Sequence, residues 1–192
     1  MEGKVAVSSG IGCDVIHLPD HWKVDTLAPR RIQKLYTSRE LTLMNRIDSS
    51  EKVAEAIMWS AKESTYKACH EGPAAFNPKS YCITGVKDGE LFVKYQERHY
   101  TVWFRLDKEV VFTELRTEKS KGYHSQLEWV EGNESESLRT KVSSYLSDTY
   151  GGSWSIQKTE YGKPMLFQDN RLSTKKLSLS HHQGYIAFVL CN

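Results

Sequence analysis

This sequence lacks the features that would send it to a membrane, a secretory route or a metal cluster. It has 4 cysteines in 192 residues, namely Cys13, Cys69, Cys82 and Cys191, and none forms a Cys-x-x-Cys pair. No histidine cluster completes a zinc pattern, so reduced, mostly buried thiols are expected. There is no signal peptide and no apolar run long enough to span a bilayer, which predicts a cytoplasmic protein with no membrane partner. Nor is one sign of charge in excess. The 26 basic and 24 acidic residues leave a formal net charge of +2. That balance argues against general nucleic-acid coating and leaves room for a local basic pocket. The remainder is ordinary soluble protein, 39% apolar and 26% charged. Such a chain can build one sizeable core, or two small lobes sharing one.

Residues 11–18 read as a short apolar strand, with Gly10 and Gly12 at its start and Pro19 after it. A helical pattern over 29–46 is interrupted around 36–41, where Thr37 or Ser38 can N-cap a second segment. Asp48 and Glu51 suggest a capping-box-like start for a helix over 50–70. Val53, Ile57, Ala61 and Ala68 form its expected buried stripe, and Gly72-Pro73 ends it. The period then changes. Strands are predicted over 81–86, 91–95, 100–106 and 110–115, with Asp88-Gly89 as a hairpin turn. Residues 119–136 are polar and read as a linker or long loop. A helix over 137–150 carries Leu138, Val142, Tyr145 and Leu146 and stops at Gly151-Gly152. Strands over 153–159, 177–180 and 185–190 close the chain. This order predicts an α+β protein of mostly antiparallel sheets packed with helices. It is open to two lobes, 1–118 and 137–192, joined by 119–136.

The chemistry-bearing residues lie in four places. In Trp59-Ser60-Ala61-Lys62-Glu63-Ser64-Thr65-Tyr66-Lys67, Glu63 and Lys67 are one helical turn apart and face the same way, with Trp59 one turn earlier. Lys62 lies about a hundred degrees round. Taken alone, this is equally the pattern of a surface ion pair. Asp14 sits in the apolar strand Gly10-Ile11-Gly12-Cys13-Asp14-Val15-Ile16 and needs a partner there, because an unpaired buried carboxylate is costly. A divalent cation shared with Glu63 would satisfy both, and two carboxylates with phosphate oxygens and water suit Mg²⁺. The other reading of Asp14 is a cap on the next turn. Lys163, in Tyr161-Gly162-Lys163-Pro164, is a cation on a restricted turn. Ser180 and His181, in Leu177-Ser178-Leu179-Ser180-His181-His182, can donate to phosphate from a strand end.

Together these elements resemble the 4'-phosphopantetheinyl transferase superfamily. The resemblance rests on Gly12-x-Asp14, Trp59-x-x-Lys62-Glu63-x-x-x-Lys67, Gly162-Lys163-Pro164 and Leu179-Ser180-His181. It covers most of the chain outside the linker region. It implies that fold, and an enzyme that moves the phosphopantetheine arm of coenzyme A onto a serine of an acyl or peptidyl carrier protein. It further implies Mg²⁺ on Asp14 and Glu63. Lys62, Lys67, Lys163 with Pro164, Ser180 and His181 would hold coenzyme A, Glu63 would be the base, directly or through a water, and adenosine 3',5'-bisphosphate would leave.

The motif order resembles the short holo-acyl-carrier-protein synthases, whose site forms between subunits of a trimer. Yet the final third resembles the first lobe of surfactin-type members, in which the Gly-Lys-Pro and Ser-His motifs come first. A monomer of two permuted, pseudo-symmetric lobes and a homotrimer of enlarged subunits are both consistent with this. Two departures stand out. Ile16 occupies the position of a third acid, and the basic residues after the strand shift to Arg30, Arg31 and Lys34. Those three could meet coenzyme A or, with Trp22, an acidic carrier helix; the bland reading is a solvated helix face. A catalytically degenerate binding or scaffold module is the alternative function. A Mg²⁺-dependent phosphoesterase would want more converging carboxylates.

Overall fold

A computed structural model of the chain describes residues 10–70, 72, 75–116 and 122–192. The first strand, β1 (Ile11–His17), runs into a one-turn helix, α1 (Leu18–His21), with Pro19 in its first turn. A proline is tolerated there because that N–H has no helical partner in any case. Two short helices follow, α2 (Pro29–Leu35) and α3 (Ser38–Met44). Thr37 caps α3 in a reciprocal box with Glu40, as the sequence suggested.

The long helix α4 (Glu51–Cys69) starts differently from expectation. Its cap is Ser50, whose hydroxyl accepts from the Val53 N–H. Ser50 stands three residues ahead of that donor, the register a cap requires, and Asp48 does not. Ile57, Ala61 and Ala68 are buried, while Val53 is only half-buried. Pro73, expected to end this helix, lies outside the described residues.

Next come β2 (Tyr81–Lys87), β3 (Glu90–Tyr95), β4 (Arg98–Asp107) and β5 (Val110–Arg116). They form a five-stranded antiparallel sheet in the order β1-β5-β4-β3-β2. Helix α4 packs across β1 and β5. Alternation along β1 turns Gly12 and Asp14 toward the helix.

The stretch 119–136, expected to be a linker, instead contains a strand, β6 (His124–Trp129). Residues 117–121 lie outside the described residues. Asn133 then caps α5 (Glu134–Tyr150), which starts three residues earlier than predicted. After β7 (Trp154–Lys158) come β8 (Pro164–Gln168) and β9 (Arg171–Leu172), which the sequence reading missed. The chain ends in β10 (Lys176–His182) and β11 (Tyr185–Cys191). Sheets β10-β11-β6 and β7-β8-β9 complete an α+β architecture with antiparallel sheets packed against helices. Among the described residues no helix is long and apolar enough to cross a membrane.

The core has three parts. Ile57, Met58 and Ala61 of α4 pack on Leu91, Val93 and Val111 of the large sheet. Leu138, Val142 and Leu146 of α5 pack on Ile186, Phe188 and Leu190 of β11. A third cluster joins these halves, with Cys13, Val15 and Phe112 meeting Ala187 and Val189.

The outer edge of β1 meets β10 without backbone pairing. Side chains of β10 take up its N–H groups at every second residue. Cys13 N–H donates to the Ser178 hydroxyl at 3.0 Å, Val15 N–H to the Ser180 hydroxyl at 3.1 Å, and His17 N–H to Nδ1 of His182 at 3.0 Å. A strand edge that would otherwise leave donors unpaired is thereby satisfied. Burial holds His182 below its ordinary pKa, against the upward pull of Asp14, which favours the neutral ring that can accept.

Candidate active site

Gly12 sets the site. A Cβ there would fall 2.0 Å from the Ser64 carbonyl oxygen and 2.9 Å from the Ala68 nitrogen of α4. Only glycine lets strand and helix backbones come this close. Two residues on, Asp14 projects toward α4 and is 8% exposed.

Its charge is fully partnered. Lys67 Nζ donates to Asp14 Oδ1 at 2.8 Å, to the Cys13 carbonyl at 3.1 Å and to the Ser180 hydroxyl at 3.2 Å. Ser180 gives its own proton to Asp14 Oδ1 at 3.0 Å, and Ser60 donates to Oδ2 at 3.0 Å. Behind Ser60, the Thr113 hydroxyl lies 2.8 Å from Ser60 Oγ and 2.6 Å from Ser64 Oγ. Burial by itself pulls the Lys67 ammonium down, but the Asp14 carboxylate beside it keeps its pKa above the usual value. Cys13 is pushed up to about 12 by burial and remains a thiol.

Glu63, one turn before Lys67, is different. No hydrogen bond to its carboxylate forms among the described residues. Burial, with the neighbouring negative charge of Asp14, raises its pKa to about 7, against the pull of Lys67. A cation between Asp14 and Glu63 would relieve both causes. Among the described residues no three acidic, histidine or cysteine side chains converge as a metal centre of their own. Asp14 and Glu63 are two carboxylates on one cleft, oxygen donors of the kind Mg²⁺ takes together with substrate oxygens and water.

Two clefts meet here. One, of about 380 Å³, is lined by Asp14, Glu63, Lys67, Trp59, His21 and His182, among others. The second, of about 580 Å³, carries Lys67, Arg139, Lys158 and Lys163, with Pro164 and His181, and among the described residues no aspartate or glutamate lines it. Lys67, Leu179 and His181 belong to both walls. Lys163 is held in a tight turn: Gly162 takes φ of 81°, and the Lys163 N–H donates to the Thr159 hydroxyl at 3.0 Å.

The fold thus brings Asp14, Glu63, Lys67, Lys163, Pro164, Ser180 and His181 together from distant parts of the chain. Three of them have partners the sequence did not reveal. The protons of Lys67 and Ser180 go to the Asp14 cluster. His181 Nδ1 lies 2.7 Å from Glu134 at the start of α5.

Lys62 departs from expectation. It lines neither cleft and is 0% exposed. Its Nζ lies 2.6 Å from buried Glu40 and also donates to the Leu35 and Pro78 carbonyls at 3.2 and 2.9 Å. The hundred-degree step from Glu63 turns it under α3 and away from both clefts. Of the α2 cations, Arg31 sits 5.9 Å from the Trp59 ring centre, while Arg30 and Lys34 are exposed and line neither cleft. Sequence reasoning missed Arg139 and Lys158, which are isolated cations with no motif, and the Ser60–Thr113 support, which only tertiary contact creates.

No curated protein and no solved structure matches the chain. A family model does: that of the 4'-phosphopantetheinyl transferase superfamily matches residues 10–113, from the start of β1 through the strand that carries Thr113. With more than half its length matched, and with the Gly-x-Asp strand and the Trp-x-x-Lys-Glu helix packed against one another, the chain belongs to the 4'-phosphopantetheinyl transferase superfamily.

Proposed function

We propose that this transferase moves the 4'-phosphopantetheine arm of coenzyme A onto a serine of an apo acyl or peptidyl carrier protein in the cytoplasm, acting as a holo-[acyl-carrier-protein] synthase. The observation that carries this reading is the pair of adjoining clefts. One is rich in cations and, among the described residues, free of carboxylates, and the other holds Asp14 and Glu63. A polyphosphate with an organic arm suits the first, and a metal-assisted displacement suits the second.

Lys163, with Arg139 and Lys158, neutralises coenzyme A phosphates, and His181 caps the junction. Asp14 and Glu63 would hold Mg²⁺, which when bound neutralises charge on the pyrophosphate. Lys67 fixes the Asp14 carboxylate and places its own charge where the clefts meet, an electrostatic contribution to the transition state. Glu63 starts removal of the serine proton, directly or through a water. Arg30, Arg31 and Lys34 form a basic edge on α2 for an acidic carrier helix. In this reading residues 1–118 supply the metal carboxylates and 137–192 most of the cations. Because both sets line clefts of one chain, the two-lobe monomer is preferred to the trimer.

The test is carrier loading followed by mass spectrometry, with coenzyme A, Mg²⁺ and a panel of apo carriers. Wild type should add one phosphopantetheine mass to at least one carrier, and Glu63→Gln should fold yet load none. Unchanged loading by that variant would sink the Glu63 assignment. Sedimentation of the same sample decides between monomer and trimer.

A further inference from the structure

The cleft holding Asp14 and Glu63 has a polar wall that the reaction above does not use. His21, from α1, lines it, and His21 Nε2 lies 2.8 Å from Oε2 of Glu55 on α4. The Glu55 side chain is 0% exposed. A carboxylate so placed is costly unless its oxygens receive hydrogen bonds. Oε1 accepts from the Tyr36 hydroxyl at 3.0 Å. Burial and the charge of Glu55 hold the Tyr36 phenol well above its usual range, so it stays protonated and donates. Oε2 is served by His21 Nε2–H. That fixes the ring proton on Nε2 and leaves Nδ1 as an acceptor. Nδ1 has no hydrogen-bond partner among the described residues, and the ring belongs to the cleft wall.

Helix geometry ties this pair to the metal carboxylates. Glu55, Trp59 and Glu63 follow at intervals of four residues and share one face of α4. Two turns, about 12 Å of rise, separate Glu55 from Glu63. Trp59, between them, also lines the cleft, whose volume of about 380 Å³ admits several waters. The serine proton needs an acceptor that is not itself a candidate metal ligand, and a ring nitrogen on the cleft wall supplies one.

We propose that His21, oriented by Glu55, is the final proton acceptor of the transfer; this rests on the function proposed above. The serine O–H bond breaks, and its oxygen forms a bond to the β-phosphorus of coenzyme A. The bond from that phosphorus to the bridging oxygen breaks, and the electron pair departs with adenosine 3',5'-bisphosphate. The serine proton travels through cleft water to Nδ1. The resulting imidazolium is balanced by Glu55, which stays ionised, and releases its proton to solvent after product departure. Glu55 is a positioning residue, fixing tautomer and ring.

Two variants separate this role from a structural tie between α1 and α4. H21Q retains an N–H for Glu55 but offers no basic nitrogen. H21A leaves room for free imidazole. With the carrier identified by the loading panel, H21Q should lose kcat on the order of 100-fold with KM for coenzyme A unchanged. H21A should regain rate as imidazole is added. Wild-type kcat in H21Q, or an H21A rate indifferent to imidazole, would overturn the proposal. A second measurement does not depend on turnover: ¹⁵N NMR of labelled histidine in the full chain should find the His21 proton on Nε2, and a proton on Nδ1 overturns the proposal. If wild type loads no carrier, the function proposed above fails, and the tautomer still decides whether His21 is built to accept.

Discussion

Glu63 carries the site's pH behaviour. Burial, then Asp14, holds its carboxyl at about 7, against an ordinary value of 4.5. Across that interval the metal-free folded chain keeps a proton that the unfolded chain has released. The contribution of this group to stability is therefore full below the window and declines as pH rises through it. Glu63→Gln should flatten this slope in denaturant unfolding without metal. In the proposed site the same proton would compete with Mg²⁺, so cation affinity should fall about tenfold per unit below pH 7 in calorimetric titration. Lys62 behaves otherwise. Its bond to buried Glu40 is structural, so Lys62→Met should cost roughly 3–5 kcal/mol of stability by leaving that carboxylate uncompensated. Coenzyme A affinity, measured by calorimetry on the folded fraction, should be unchanged. The motif's spacing sets Glu63 beside Lys67 on the wall of the cleft that Asp14 also lines, because a helix fixes which residues share a face. It misplaced Lys62, because whether the next face meets water or α3 depends on a contact with Glu40 that no local spacing encodes.

At the scale of elements, β1 against α4 is the critical contact. Gly12→Ala would drive a methyl group into the Ser64 carbonyl at 2.0 Å, and backbone cannot yield as a side-chain tip can. The variant should lose about 3 kcal/mol or more, read as a lowered melting temperature, and Mg²⁺ binding with it. Elements with a clear period were legible: α4 from its buried stripe, and β2 to β5 from alternation between turns. Those missed had weak signals. Strand β6, His-Ser-Gln-Leu-Glu-Trp, is half-buried at a sheet edge and looks polar enough for a loop. The β8–β9 turn uses Asp169 and Asn170 at φ of 49° and 64°, without the glycine that usually announces a hairpin.

For the whole molecule, α+β class could be read from the residues, and the meeting of early and late motifs from the family resemblance that they carry together. The way the halves join could not. Ser180 looks like a phosphate donor in sequence, yet together with Ser178 and His182 it bridges to the edge of β1. That bridge puts the cleft that holds Asp14 and Glu63 on the seam between two sheets. β1 and β10 meet there through side chains, so the seam can loosen while the backbone ladders on either side survive. Hydrogen exchange should register it as an odd–even rhythm: the amides of Cys13, Val15 and His17 exchange ahead of those of Asp14 and Ile16, and a bound phosphate ligand spanning the two clefts slows the odd set most. The enzyme's breathing and its substrate's grip would then be one motion, observed amide by amide along a single strand.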